Sequence, residues 1–150
     1  MKITYKGDYA LKAILDLTLY GSSAERVEDI AQRQDIPFKF LEQIMLDLKK
    51  GRFVKSRRGR NGGYLLARAP EKITLGEVIR YFEGQVEPIS CVQPRERSRC
   101  NYAAQCVFYD VFDEIGKYIA HKVDGINFAQ LKEKQKEKLI RQKKYLDYSI

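Results

Sequence analysis

The sequence predicts a mainly α-helical protein that carries one small β-hairpin. Three observations predict this fold class. Apolar residues recur every three or four positions in several segments of the 150-residue chain, which is the period of an amphipathic helix. Two short extended runs flank the glycine-rich turn 59–63, which is typical of a hairpin. Two short helices stand directly before that hairpin, so the pattern is that of a winged helix-turn-helix, and a long helix follows it.

The first three helices are predicted from their apolar spacing and from the residues at their ends. The first spans residues 8–20, and Asp8 is placed to cap its first turn. The second spans 27–33 and stops before Pro37, which disfavours helical geometry in the residue that precedes it. The third spans 38–51. Its apolar stripe comprises Phe40, Leu41, Ile44, Met45 and Leu48.

The hairpin, or wing, is predicted from two extended runs at 53–58 and 64–67. Asn61-Gly62 lies between them and is a strong turn signal, because both central positions of such a turn tolerate positive φ. Three arginines surround the turn: Arg57, Arg58 and Arg60. A thin hairpin that carries guanidinium groups suits the narrow, electronegative minor groove of DNA.

The chain divides into four predicted units. They are a winged helix-turn-helix at 1–84, a cysteine-bearing loop at 85–102, a long helix at 103–126 and a basic C-terminal helix at 127–150 that packs on the first unit. A capping box at Thr74 opens the last helix of the first unit. The long helix itself is expected at 103–122, and Asn127 is placed to cap the helix that follows.

Positive charge is concentrated in one part of the chain. The formal net charge is +8, and residues 39–60 alone hold eight basic and two acidic side chains. Residues 132–147 hold seven basic and three acidic ones, a pattern typical of a solvated face. The basic window favours nucleic acid as partner. No apolar run approaches the ~20 residues of a membrane span, so we expect a cytoplasmic protein with no membrane partner.

The third helix and the wing hold the residues that we expect to contact double-stranded DNA. Lys39, Glu42 and Gln43 face away from the apolar stripe, near the end of the helix that would meet base edges. Glutamate can accept from cytosine, glutamine can pair with adenine, and lysine favours guanine or phosphate. Three further cations would hold phosphates: Lys49, Lys50 and Arg52. Nearby aromatic residues are expected in the core or at hinges: Phe38, Phe40 and Tyr64.

The chain has three cysteines, Cys91, Cys100 and Cys106, all within the loop and the start of the long helix. Their odd number argues against a disulfide framework. The gaps of eight and five residues do not fit a zinc finger, which requires two close pairs. Three thiolates on a loop can bind a soft metal, and an iron–sulfur cluster needs four ligands. Buried or reactive free thiols are the alternative.

Four segments carry a resemblance to a known family: 1–11, 40–44, 58–66 and 73–79. The chain resembles the winged-helix repressors typified by the iron–sulfur cluster regulator IscR, with NsrR and CymR as relatives. The match is densest through residue 84, and the Arg-Gly-x-x-Gly-Gly-Tyr wing is specific. The resemblance implies a homodimer joined by the long helix and a near-palindromic operator. By position, Glu42, Gln43 and Arg58 match the family's base-reading and minor-groove residues.

The resemblance also favours a 2Fe–2S or 4Fe–4S cluster, because cluster-binding members carry three cysteines in this loop. In the IscR branch both gaps hold five residues and a histidine three positions past the last cysteine completes the site. Here that position is Tyr109, and the single histidine, His121, stands far along the helix. In the NsrR branch a carboxylate of the partner subunit completes the cluster, and Asp8 stands at the matching place, where an N-cap alone is the alternative. Asp110 and Asp113 are weaker candidates.

Together these features predict a DNA-binding transcription regulator whose operator affinity depends on an iron–sulfur cluster, and which senses cluster or iron supply or redox stress. The alternative is a cluster-free repressor of the same fold that responds to a metabolite or to a Cys100–Cys106 disulfide. An enzyme that uses Cys106 as nucleophile is not expected. His121 is alone, and neither a Ser/His/Asp set nor a glycine-rich phosphate loop is present.

Overall fold

The computed structural model describes residues 2–86, 88–92, 102 and 105–147. These residues form six helices and a two-stranded antiparallel sheet. In chain order they are α1 (Tyr5–Tyr20), α2 (Val27–Gln34), α3 (Phe38–Lys50), β1 (Val54–Arg57), β2 (Gly63–Leu66), α4 (Leu75–Glu83), α5 (Val107–Asp124) and α6 (Phe128–Asp147). Two 3₁₀ turns lie at Pro70–Lys72 and Ser90–Val92. The predicted mainly α fold with one hairpin is confirmed.

One apolar core joins helices α1 to α4, the base of the hairpin and the start of α6. Its buried side chains include Ile14, Leu17, Ile30, Leu41, Leu48, Phe53, Ile73, Val78 and Phe128. Because Phe128 is only 1% exposed, the first turn of α6 belongs to the same core as the helix-turn-helix. Within the described residues, no helix combines the length and apolar character that a membrane crossing requires.

Helix α1 begins three residues before its predicted start, at Tyr5. The prediction that Asp8 caps this helix is wrong, because the N-cap is Thr4, whose hydroxyl accepts a hydrogen bond from a backbone amide of the first turn at 3.3 Å. Thr4 is itself held by α4: its amide and its hydroxyl both donate to Oε1 of Glu83, at 2.9 and 2.7 Å. Asp8 lies inside the first turn and pairs with Lys12 at 2.8 Å.

Two other predicted helix starts are confirmed by their capping bonds. Thr74 accepts a bond from the amide of Glu77 at 3.1 Å, although the Glu77 carboxylate pairs with Arg68 and does not return to the cap. Asn127 and Gln130 form a complete capping box, in which each side chain accepts from the other's amide, at 2.9 and 3.0 Å. Local sequence therefore determines where α4 and α6 begin.

Helix α5 begins at Val107, later than the predicted residue 103. Cys106 precedes it with extended backbone, and Gly125 follows its last residue, as expected. Residues 103 and 104 lie outside the described part of the chain. The segment between α5 and α6 is bonded to the start of α4, because the amide of Leu75 donates to the carbonyl of Ile126 at 2.8 Å.

Candidate nucleic-acid interface

The first turns of α3 expose polar side chains on one side and bury apolar ones on the other. Lys39, Glu42 and Gln43 are exposed, as predicted. Three residues of the opposite side are at most 3% exposed: Leu41, Ile44 and Leu48. The core therefore holds the helix while its polar face stays open to a ligand, which is the arrangement that a recognition helix requires.

Two aromatic residues at the start of α3, which were predicted in the core or at hinges, do not belong to the core. Phe40 is 66% exposed and Phe38 is 39% exposed. Tyr64 of the wing, in contrast, is half-buried and packs against the core. Phe40 lies at the edge of the apolar stripe, beside a groove between α3 and the start of α1. The position of Phe40 in the apolar stripe could not reveal its exposure, because helical spacing does not show which edge of a stripe a neighbouring element covers.

The wing tip is the loop 58–62, which joins β1 and β2. The strands pair antiparallel with Arg57 opposite Gly63. A bond of 2.9 Å from the amide of Gly62 to the carbonyl of Gly59 closes the turn, and Gly59 has a φ of 108°. Positive φ was predicted at Asn61 and Gly62, and that prediction is wrong: the left-handed residue of the loop is Gly59. The observed hairpin differs from the predicted one only in the position of the turn within the loop, because both predicted strands form.

The outer edge of β2 is bonded to the segment that precedes α2. Glu25 and Tyr64 exchange two backbone hydrogen bonds, each of 2.8 Å. Gly63 permits this approach, because a Cβ atom there would collide with the carbonyl oxygen of Glu25. The wing is therefore attached to the helix-turn-helix by main-chain bonds as well as by its own strand pair.

Glu25 also belongs to a charged network that sequence reasoning missed. Arg33 of α2 donates to both carboxylate oxygens of the buried Asp16 of α1, at 2.7 and 3.0 Å, and to Glu25 at 2.8 Å. Gln34 adds a bond to Asp16 at 2.9 Å. The Asp16 hydrogen bonds first, and then Glu25, raise the pKa of Arg33, which stays charged. The sequence did contain one signal of this network, namely an aspartate, Asp16, at a core position of α1.

The cations at the end of α3 are oriented by neighbouring side chains. Nζ of Lys49 donates to the Ser56 hydroxyl of the wing at 2.7 Å. Asp47 pairs with Lys6 of α1 at 2.8 Å and with Lys50 at 3.3 Å. Hydrogen bonding to Lys6 first, and then to Lys50, lowers the pKa of the Asp47 carboxyl below its usual range. Lys49 and Lys50 are therefore positioned before any phosphate arrives.

The chain leaves α3 through Gly51 and Arg52. Gly51 has helical geometry, and it is Arg52 that takes the left-handed conformation, with a φ of 59°. A Cβ atom on Gly51 would lie 2.7 Å from the ring of Phe53 and 2.9 Å from that of Tyr81, so glycine is required there for space. Two cations outside the predicted set line a shallow groove with Lys49 and Arg52: Lys55 and Arg68.

Every residue predicted to contact DNA is exposed. The set comprises Lys39, Glu42, Gln43, Lys49, Lys50, Arg52, Arg57, Arg58 and Arg60. Exposure is necessary for a contact but does not distinguish base reading from phosphate binding. The individual roles therefore stay predictions.

Two of the three cysteines lie in the described part of the chain. Cys91 belongs to the 3₁₀ turn Ser90–Val92, which packs against α5, and Cys106 directly precedes α5. Both are half-buried, and neither forms a disulfide. Cys100 lies outside the described residues, and those that are described contain no group of three potential metal-ligating side chains. The complete ligand set therefore stays a prediction.

The other candidate ligands differ in accessibility. The Asp8 side chain is 44% exposed. Tyr109 is buried on α5, whereas His121 is exposed in the last turn of that helix. Asp110 is exposed, and Asp113 pairs with a lysine of its own helix at 2.6 Å. Asp8 and Asp110 both have the oxygen donor and the exposure that a ligand from a second subunit would need, and Asp8 is the one that the resemblance favours.

Helix α5 leaves an apolar face uncovered in the single chain. Five large apolar side chains are between 40% and 71% exposed along it: Val107, Phe108, Val111, Ile115 and Tyr118. Their spacing of three and four residues places them on one side of the helix. Contiguous exposed apolar surface of this kind marks an interaction site.

Residues 3–134 match the Rrf2 family, described as iron-dependent transcriptional regulators. The chain belongs to the Rrf2 family. The HTH-type transcriptional regulator IscR of Aliivibrio salmonicida is 33% identical over 132 residues, which are 87% of this chain and 77% of that protein. The structure of T. potens IscR, at 31% identity and a TM-score of 0.72, covers 91% of this chain and 90% of its own. That of CymR, the global cysteine regulator of B. subtilis, has 28% identity, a TM-score of 0.69, and coverage of 89% and 97%.

Family membership confirms three predictions. The fold is that of the winged-helix regulators, as the resemblance to IscR and CymR implied. The chain is a DNA-binding transcription regulator. It is not an enzyme, because the family and the similar structures are transcription regulators.

Proposed function

We propose that the chain is a cytoplasmic, homodimeric repressor that binds a near-palindromic operator through α3 and the wing. The observation that carries this proposal is the exposed polar face of α3. Lys39, Glu42 and Gln43 lie there on a helix whose opposite side is buried. The N-terminal part of such a helix meets base edges in the major groove, where glutamate and glutamine can each select a base.

The wing and the end of α3 add contacts of a different kind. Arg57, Arg58 and Arg60 are exposed on a thin hairpin, which suits insertion into the minor groove. The cations of the α3 end bind phosphates and set the register without selecting sequence: Lys49, Lys50 and Arg52. Since Lys49 is already held by Ser56, it reaches its phosphate with little further loss of side-chain freedom.

The roles are separated by measuring DNA affinity on an operator and on a random duplex. We expect Glu42→Ala and Arg58→Ala each to weaken operator binding by about tenfold and to affect random DNA less. Lys49→Ala should weaken both duplexes alike and reduce the salt dependence of binding by about one phosphate contact. Fluorescence anisotropy titrations at several salt concentrations measure all three. Equal losses on both duplexes for every variant would contradict the assigned roles.

We further propose that α5 joins two chains. Its uncovered apolar stripe is the support, because a helix face of this kind is stable in water only when another surface covers it. A two-fold pairing of chains through α5 would present two copies of α3, which matches the symmetry of a near-palindromic operator.

The loop is proposed to hold an iron–sulfur cluster, 2Fe–2S or 4Fe–4S, on Cys91, Cys100 and Cys106. Two observations fit these donors: Cys91 and Cys106 are unpaired and half-buried, and Cys91 lies in the 3₁₀ turn that packs against α5 while Cys106 directly precedes that helix. Asp8 of the partner subunit is the proposed fourth ligand. Its fit rests on its exposed carboxylate and on the fact that Thr4, not Asp8, caps α1.

The start of α1 can carry the state of this site to the DNA-binding surface. When bound, the cluster would link the loop to Asp8 through a ligand bond that depends on iron and on redox state. In the same turn of α1, Lys6 pairs with Asp47 of α3, and Thr4 is bonded to Glu83 of α4. A displacement of this turn therefore acts on two helices of the DNA-binding unit, including the recognition helix, so operator affinity follows the signal.

An anaerobic purification tests the cluster directly. We expect a brown protein with visible absorbance and with iron and sulfide in equal amounts, and a colourless Cys91→Ala variant with altered operator affinity. Asp8→Ala should weaken iron retention, whereas Lys12→Ala, its matched neighbour, should not. A colourless wild type whose operator affinity changes on formation of a Cys100–Cys106 disulfide would instead establish the thiol sensor.

A further inference from the structure

An apolar rim lies beside the residues that are proposed to read bases. The ring of Phe40 is 66% exposed in the first turn of α3. It borders a groove whose other walls are the rings of Tyr5 and Tyr9 of α1, together with Pro37 and Ile44. Gln43 closes the groove on the side of the recognition face. The apolar surface and the polar reading face are therefore contiguous.

The position of Phe40 on α3 indicates that its ring contacts the same ligand as the Gln43 side chain. Residues three apart on a helix are neighbours, so the two side chains share one face of α3. Lys39, which precedes Phe40, is also exposed, and the face thus combines a cation, an amide and an aromatic ring. This inference rests on the proposed function, under which that face enters the major groove.

The base edges of the major groove offer one kind of apolar group. Thymine presents its C5-methyl there, whereas the other groups by which the bases are distinguished are hydrogen-bond donors and acceptors. Phosphate oxygens and water-filled space give an exposed aromatic ring no complementary partner. We propose that Phe40 is a specificity-determining residue that contacts a thymine C5-methyl group, next to the base pair that Gln43 reads, with the aromatic groove sheltering the methyl from water.

The experiment removes the C5-methyl group of thymine and leaves the rest of the base unchanged. An operator is first selected from a randomised duplex pool with the wild-type, full-length protein. The two symmetry-related thymines of the half-sites are then replaced together by deoxyuridine, one pair of positions at a time. We expect one symmetric pair of positions at which binding weakens by about tenfold, the effect of losing two buried methyl groups, while the other positions change little.

The Phe40 variants assign that effect to the ring. Phe40→Ala should bind the thymine operator more weakly and lose the preference for thymine over deoxyuridine, whereas Phe40→Tyr should keep it. Leu46→Ala is the matched control, because Leu46 is an exposed apolar residue of the same helix at 46% exposure. It should retain the preference, and circular dichroism verifies that each variant is folded.

Three results would overturn the inference and leave the proposed function standing. They are an operator at which no thymine is sensitive to methyl removal, a preference that survives in Phe40→Ala, and a Phe40→Ala variant that changes only the dimer dissociation constant. If the wild-type protein selected no duplex at all, the proposed function would fail instead. The deoxyuridine scan uses only wild-type protein, so its result can overturn the inference even when a variant does not fold.

Discussion

At the scale of single residues, the buried Asp16 is the side chain on which the helix-turn-helix most depends. It is fully buried in α1, and its carboxylate accepts bonds from Arg33 and Gln34 of α2. A buried charge is tolerated only when its partners are complete. Since Arg33 also holds Glu25, whose backbone pairs with the wing, one guanidinium connects α1, α2 and the wing.

Removing that guanidinium should lower the stability of the folded protein. We expect Arg33→Met to lower the free energy of unfolding by about 3 kcal/mol, because it leaves the Asp16 charge buried with Gln34 alone. Urea denaturation at neutral pH measures the loss. The matched control is Lys12→Met, which removes the partner of the exposed Asp8 and should change stability by at most about 1 kcal/mol. Equal losses in the two variants would contradict the structural role of the network.

Residue contacts also explain why the edges of the α3 stripe could not be predicted. The helical period places Phe40 and Leu41 side by side, yet Leu41 is fully buried and Phe40 is exposed. Which edge is covered depends on where α1 crosses α3, and that crossing is set by the core of several helices. Sequence spacing identifies a face but not its limits.

At the scale of secondary-structure elements, an ion pair joins α4 to the end of α5. Arg80 donates to both carboxylate oxygens of Asp124, at 2.6 and 2.9 Å. This hydrogen bonding lowers the pKa of the Asp124 carboxyl below its usual range. Next to it, Gly76 provides the space for the contact, because a Cβ atom there would collide with the carboxylate.

The pair predicts a pH dependence with a definite sign. Because the folded-state pKa of Asp124 is depressed, its contribution to stability is present above the unfolded pKa of about 3.9 and is lost as the pH falls through the folded value. Asp124→Asn should therefore cost up to about 1 kcal/mol at pH 7, after allowance for solvent screening, and progressively less as the pH falls through the folded-state pKa. Unfolding in urea across this range measures the change. In an Arg80→Met background, Asp124→Asn should show no such dependence.

Element ends were predictable where a local motif sets them and not where a distant residue does. The Thr74 and Asn127 caps lie within their own helix starts, so sequence spacing located α4 and α6. For α1, Thr4 and Asp8 are both plausible caps, and the choice is made by Glu83, which lies 79 positions along the chain from Thr4. In the wing, loop closure selects Gly59 as the left-handed residue although Asn61-Gly62 carries the stronger local signal.

At the scale of the whole molecule, the position of the charge was predictable and the arrangement of the cysteines was not. A +6 excess in residues 39–60 appears in the structure as exposed side chains on α3 and the wing, because charged groups stay in water wherever they have no partner. Cys91 and Cys106 were predictable as candidates by residue type alone. Their relation in space depends on how the 3₁₀ turn that contains Cys91 packs against α5.

The proposed function requires two copies of the chain. Under that proposal one α3 and one wing would contact a single half-site, which would limit both affinity and specificity. The apolar stripe of α5 is the surface that can pair two chains about a two-fold axis, and in such an interface every residue occurs twice. A single charge on the stripe therefore enters the dimer as two buried charges, while the folded chain itself, in which the stripe is exposed, is unaffected.

Val111→Glu is the variant that tests this arrangement. Val111 is 54% exposed at the centre of the stripe, so we expect the folded chain to keep its thermal midpoint while the dimer dissociation constant rises by at least about a hundredfold, about 3 kcal/mol. Operator affinity should fall with the loss of the dimer, and binding to an isolated half-site should persist. Lys117→Gln is the matched control, because it changes the charge of α5 by the same amount on the other side of the helix. Analytical ultracentrifugation with the two duplexes separates the outcomes: a Val111→Glu protein that remains a dimer would show that α5 is not the face that joins the chains.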